Sequence, residues 1–189
     1  MEKGKLIAIS APSGTGKTTI TRKVLKYFPE IVFSVSATTR TKRKNEVDGK
    51  HYFFITEEEF KKKIENKEFI EWEKFYGYYY GTYKSFVENV INNGKSILLE
   101  IDVNGALNLK KLYPDAVLIY IVPPSIDELT RRLKNRNTEC KEDLEKRIKR
   151  STMELSLKDK FDYLVENKDL KKALEQTKIL IEKIIKKEI

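Results

Sequence analysis

Cysteine, histidine and long apolar runs are nearly missing from this chain. Its 189 residues hold one cysteine, Cys140, and one histidine, His51. A lone cysteine excludes an internal disulfide and a thiolate metal cluster, and it suits a reducing compartment. No apolar stretch approaches the length of a membrane span, and the N-terminal run "LIAIS" is too short for a signal sequence. The expectation is a soluble, cytoplasmic protein without a membrane partner. Repeats, low-complexity tracts and Gly/Ser linkers are also missing. The length is enough for one well-buried domain and too short for two large ones.

Hydrophobic residues make up 40% of the chain and aromatic residues 11%, which fits a globular fold and excludes a disordered one. Lys and Arg number 38 against 29 Asp and Glu, a net charge of +9 that favours anionic partners. Part of this excess is a solvated surface, because lysines alternate with glutamates in "EEEFKKKIENKE". A nucleic-acid-binding protein has only the charge in its favour, since no recognisable DNA- or RNA-binding motif accompanies it.

Apolar runs alternate with helical patterns along most of the chain. "KLIAIS", "IVFSVS", "SILLEID", "AVLIYIV" and "DYLVEN" read as strands. "GKTTITRKVLKYF", "NGALNLKKLY", "SIDELTRRLKNR" and "LKKALEQTKILIEKIIKK" read as helices. That order predicts a parallel sheet with helices on both faces. Thr56-x-x-Glu59 and Ser125-x-x-Glu128 have the form of capping boxes, and Gly94 is placed to end a helix. Residues 36–83 break the alternation. Polar, basic and tyrosine-rich, they predict a small mixed sheet inserted in the core. "RRLKNRNTECKEDLEKRIKR" reads as a helix–loop–helix flap.

The stretch "APSGTGKTT" carries the first chemistry. It matches G-x-x-x-x-G-K-[ST] except that Ala11 stands at the first glycine, and it lies between a strand and an amphipathic helix. Gly14 and Gly16 let backbone N–H groups converge on phosphate oxygens at the positive end of the helix dipole. Lys17 would reach the β- and γ-phosphates, and the Thr18 hydroxyl would ligate Mg²⁺. Ala11 costs something only if its position needs positive φ. A kinase needs a second anion site with its own cations, and "SATTRTKR" supplies Arg40 and Arg43 among hydroxyls.

Together these residues resemble the guanylate kinase family over nearly the whole chain. The family-specific run is T-T-R-x-x-R, then E-x-D-G-x-x-Y-x-F, then G-x-x-Y-G-T. The resemblance implies a phosphate-loop NTPase-type α/β core flanked by helices, with an inserted mixed-sheet GMP-binding region and a helical lid. Within a single domain, the core would be 1–35, 84–125 and 159–189, the insert 36–83 and the lid 126–158. It implies ATP-dependent phosphorylation of GMP, with Mg²⁺ accompanying ATP, and a monomer or homodimer that needs no nucleic acid.

Site residues follow position by position. Ser13, Gly14, Thr15, Gly16, Lys17, Thr18 and Thr19, with Arg132, Arg136 and Asn167, match the ATP site; Asp169 falls beside it. Arg40, Arg43, Tyr52 and Tyr80 match positions that bind the GMP phosphate. Ser36, Glu71 and Thr82 match positions that read the base, with Glu100 and Asp102 nearby. Asp102 resembles the acid that supports Mg²⁺ through water. Lys17, Arg43, Arg136 and Arg147 would carry the phosphoryl transfer. Guanine N1–H and N2–H₂ are donors, so the Glu71 carboxylate suits both, while adenine would leave it unpaired. Thr82 and Glu100 depart from the family's serine and aspartate in some members but keep the chemical group.

A nucleoside monophosphate has its second pKa at about 6, so no general base is required. His51 is therefore read as structural or exposed, and Cys140 is given no role. Two other readings stay open on the sequence: a non-catalytic guanylate kinase-like protein-binding module, and a kinase of another nucleoside monophosphate.

Overall fold

The computed structural model describes residues 3–75, 77–134 and 141–189. Five parallel strands form the main sheet in the order β2-β7-β1-β8-β9: β1 Leu6–Ser10, β2 Val32–Phe33, β7 Ile97–Glu100, β8 Val117–Val122 and β9 Tyr163–Glu166. Near-continuous apolar runs form these strands because both faces are covered. Successive side chains point to opposite faces. Leu6, Ala8, Leu99, Leu118 and Tyr120 enter one core with α3 (Lys84–Asn92) and α4 (Val103–Leu112). Ile7, Ile9, Leu98, Ile119 and Ile121 enter a second core with α1 (Lys17–Tyr27) and α7 (Leu170–Lys186). Each fully buried Ile or Leu contributes about 1.5–3 kcal/mol.

A second sheet is mixed, in the order β4-β3-β6-β5, with β3 Ala37–Thr38, β4 Phe53–Phe54, β5 Phe69–Phe75 and β6 Tyr78–Tyr83. It has its own small core, in which α2 (Glu57–Glu65) sets Phe60 against Phe69 and Tyr79. The run "IVFSVS" is therefore not one strand. Ser34 N–H still bonds Leu98 O in the main sheet, and by Ser36 the chain belongs to the small sheet, where Ser36 O accepts from Phe53 N–H.

The Thr56 capping box forms in full: Glu59 N–H donates to Thr56 Oγ1, and Thr56 N–H donates to the Glu59 carboxylate. Ser125 Oγ accepts from Glu128 N–H, but the Glu128 carboxylate is drawn to Arg131 and Arg132, both on its own helix face. That helix is α5 (Ile126–Lys134), and the long α6 (Lys141–Leu155) follows the gap between described segments. Gly94, at φ +75°, follows the end of α3. No described helix is long and apolar enough to cross a membrane.

Candidate active site

Strand β1 ends at Ser10 and the loop 11–16 turns directly into α1. Gly14 and Gly16 take φ +90° and +92°, where a side chain is strained, while Ala11 is not among the positive-φ residues. The alanine is thus tolerated where the sequence pattern expects glycine. Gly16 is also closely approached: a Cβ there would lie 2.7 Å from Asn167 Nδ2. Gly16 is the N-cap of α1, which has no side-chain cap and no acid in its first turn. Its leading N–H groups and dipole are left to an external anion.

The loop is braced from behind. Asn167 Nδ2 donates to Thr15 O at 2.6 Å, and Thr15 Oγ1 donates to Pro12 O at 2.8 Å. Arg132 donates to Asn167 O at 3.0 Å and to Glu128 at 2.8 Å, so it ties α5 to the turn after β9. Asp169 caps α7, accepting from Lys172 N–H. The Asn167 amide thus faces the loop's backbone, and Asp169 is occupied as a helix cap.

At the front of the loop, Lys17 Nζ donates to Ile101 O at 2.8 Å, just past the carboxyl end of β7. The Thr18 hydroxyl donates to Glu100 Oε1. Asp102 uses one carboxylate oxygen as the N-cap of α4, accepting from Gly105 N–H at 2.9 Å. Of the two acids on this edge, Glu100 is therefore the one that meets Thr18.

Opposite the loop stands the cleft face of the small sheet. A bulge between Phe69 and Glu71 shifts the register of β5, so that Phe69 stays in the aromatic core while Glu71 pairs directly across from Thr82. Glu73 pairs across from Tyr80 on the same face. Thr82 Oγ1 donates to Glu71 Oε1 at 2.7 Å, and Ser36 Oγ lies 3.5 Å from Thr82 Oγ1. Glu71 is 7% exposed and Thr82 0%. Burial pushes the Glu71 carboxyl up to about 8, the Thr82 hydrogen bond works against this, and Asp102 and Glu73 add to it.

Tyr52 and Tyr80 meet edge to face, with ring centroids 6.0 Å apart. The Arg40 guanidinium lies over the Tyr52 ring and grips Glu46 with both Nη atoms, at 3.0 and 2.7 Å. Glu46 also accepts from Arg43 N–H, and the Arg40 bond holds its carboxyl down to about 2. Arg43 is exposed to solvent.

A cleft of ≈ 360 Å³ is lined by loop residues from Ala11 to Thr19 other than the buried Thr15, by Ser36, Tyr52, Glu71 and Tyr80, and by Glu100, Asp102 and Arg147. Arg132 and Asn167 line a shallower recess behind Gly14 and Gly16. Arg136 and Cys140 lie outside the described residues. The cleft also contains Arg150, Ser151 and Glu154, which sequence reading did not single out. Helical spacing from Arg147 places all three on one face of α6. Likewise Glu73 is two residues from Glu71 on the same strand face.

A glycine loop leading into a helix at the carboxyl edge of a five-stranded parallel sheet makes this an α/β protein of the phosphate-loop class. The guanylate kinase family model matches residues 3–184. The chain belongs to the guanylate kinase family. It is 51% identical to the guanylate kinase of Thermotoga maritima over 92% of this chain and 84% of that protein. It is 46% identical to the guanylate kinase of Caldanaerobacter subterraneus over 95% of this chain and 87% of that protein. Its fold is similar to the crystal structure of guanylate kinase from Anaplasma phagocytophilum, with a TM-score of 0.80 and 31% identity over 98% of this chain and 88% of that one.

Proposed function

We propose that this protein transfers the γ-phosphoryl group of ATP to GMP, giving ADP and GDP, and that dGMP is also accepted. One observation carries the reading: the buried Glu71 carboxyl, held from behind by the Thr82 hydroxyl, lines the same cleft as the phosphate loop. Guanine offers that pair two adjacent N–H donors and a carbonyl acceptor. Adenine has no proton at N1 and would leave Glu71 unpaired, a mismatch worth about 10⁴-fold in discrimination.

Phosphates are drawn in from both sides. The loop N–H groups and Lys17 hold the ATP phosphates; Arg40, Arg43, Tyr52 and Tyr80 hold the GMP phosphate. Lys17 exchanges its present carbonyl partner, Ile101 O, for phosphate oxygen. Arg147, which lines the cleft from α6, then supplies positive charge that stabilises the charge-rich transition state, a part the family resemblance also gives to Arg136. The GMP oxygen attacks in line, and its ionisation at about pH 6 removes the need for a base.

Mg²⁺ fits the donors present. The Thr18 hydroxyl donates a hydrogen bond to Glu100 and keeps lone pairs for a cation, and hard oxygen ligands suit this ion. Thr18, Glu100 and, through water, Asp102 would hold it, and the ion would neutralise charge on the ATP phosphates. Residues 36–83 act as the GMP-binding insert and 126–158 as the lid. Purine nucleotide supply in the cytoplasm is the setting this chemistry serves.

The test is ADP release from MgATP with GMP, AMP, UMP or dTMP as acceptor, for the protein and for Lys17→Ala. Turnover with GMP alone, lost in the variant, is the expected result. Turnover with another acceptor overturns the reading of Ser36, Glu71 and Thr82.

A further inference from the structure

Arg150 links α6 to the cleft face of the small sheet and spans two carboxylates at once. Its Nη2 donates to Glu73 Oε1 at 2.8 Å and Oε2 at 3.0 Å, and its Nε donates to Glu154 Oε1 at 2.7 Å. The side chains are only 24%, 18% and 7% exposed. A guanidinium suits this task because its planar fork can serve two acceptors in fixed directions; an ammonium cannot hold both with the same rigidity.

Position gives the contact its meaning. Glu73 lies two residues beyond Glu71 and directly across from Tyr80. Arg150 lies one helical turn after Arg147, on the face of α6 that lines the cleft. The Glu154 end is itself fixed, because Tyr120 OH, from the buried strand β8, donates to Glu154 O at 2.9 Å. A rigid chain thus runs from the main sheet through α6 and Arg150 to β5. Asn104 of α4 also reaches Glu73 Oε1, at 3.4 Å.

We propose that Arg150 is a positioning residue, a strut that sets β5, and with it Glu71 and Tyr80, at the right distance from the main sheet and Arg147. This rests on the reading of the cleft as the GMP site. Arg150 acts through Glu73 and not through substrate, so its loss displaces the acceptor site while leaving the phosphate loop alone. Small misplacement of a positioned substrate is costly, up to about 100-fold for 1 Å.

The experiment is a double-mutant cycle on initial rates, with Glu73→Gln, Arg150→Met and the two combined, each checked by thermal unfolding. KM for GMP is expected to rise about 10-fold in either single variant. KM for ATP is expected to stay within about 2-fold, and the double variant to be no worse than the singles. Arg150→Lys keeps the charge but not the fork, and should recover only part of the loss. An Arg150→Met effect that persists undiminished in the Glu73→Gln background would mean that Arg150 touches substrate, and the strut fails. Equal rises in both KM values, or none, also overturn it. If the unmodified protein turns over AMP and not GMP, the reading of the cleft fails instead, whatever the variants do.

Discussion

Thr82 donates its hydroxyl hydrogen to Glu71 Oε1 at 2.7 Å, while the carboxylate's other oxygen lies against the backbone of Gly105. The acid thus sits between a strand and the start of α4, close against the backbone of Gly105. A Cβ on Gly105 would stand 2.5 Å from Glu71 Oε2. Gly105→Ala should therefore push Glu71 off its position. Within a helix the same change ordinarily stabilises by about 0.5–1 kcal/mol. The expected result is a folded protein whose KM for GMP rises by about 10-fold or more, with KM for ATP little changed. Steady-state kinetics with each substrate varied in turn checks this.

The Glu71 carboxyl, raised to about 8 by burial, makes stability depend on pH. Between its ordinary value of 4.5 and about 8 the native chain keeps a proton that the unfolded chain has released. The native state binds more protons there, so stability falls as pH rises through this window. The slope from Glu71 is at most about 1.4 kcal/mol per pH unit. Glu73, also raised by burial and by the neighbouring Asp102 against the pull of Arg150, adds to it in the same direction. Denaturant unfolding from pH 5.5 to 8 should show the decline, and Glu71→Gln should flatten it. GMP needs the ionised acid, so binding at pH 7 should release up to about one proton. Calorimetry in buffers of different ionisation heat measures it.

Thr18 and Glu100 join the loop to the edge of the main sheet. Thr18→Val removes the hydroxyl while nearly conserving shape. We expect kcat to fall by about 100-fold or more and the Mg²⁺ concentration for half-maximal rate to rise. Glu100→Gln should show a milder version of both, because an amide still accepts the Thr18 hydrogen bond. Rates across a Mg²⁺ titration distinguish the two.

Glu46 holds the Arg40 fork and the Arg43 N–H together. Its carboxyl, held at about 2 by Arg40, stays ionised far below the ordinary range, so this contribution to stability persists above about pH 4.5 and is lost as pH falls towards 2. Glu46→Ala should loosen both arginines and raise KM for GMP by about 3–10-fold, with kcat less affected. An unchanged KM would show that the GMP phosphate does not depend on this arrangement.

The sequence by itself determined the alternation of strands and helices, because period-2 and period-3.6 burial are local patterns, and it determined the phosphate loop, because Gly14, Gly16, Lys17 and Thr18 are consecutive. It also carried the family, through runs such as T-T-R-x-x-R. The splitting of "IVFSVS" between two sheets was not legible, since leaving one sheet for another depends on partners distant in sequence. Nor was the β5 bulge, which aims Glu71 at Thr82 while Phe69 stays in the aromatic core. Tertiary structure alone set Glu100 against Thr18, turned Asp102 to the cap of α4 and brought Arg150 to Glu73, 77 residues away. Side-chain types announce which chemistry is possible. Which acid meets which hydroxyl or guanidinium is decided by long-range packing, where burial leaves a polar group few partners to choose from.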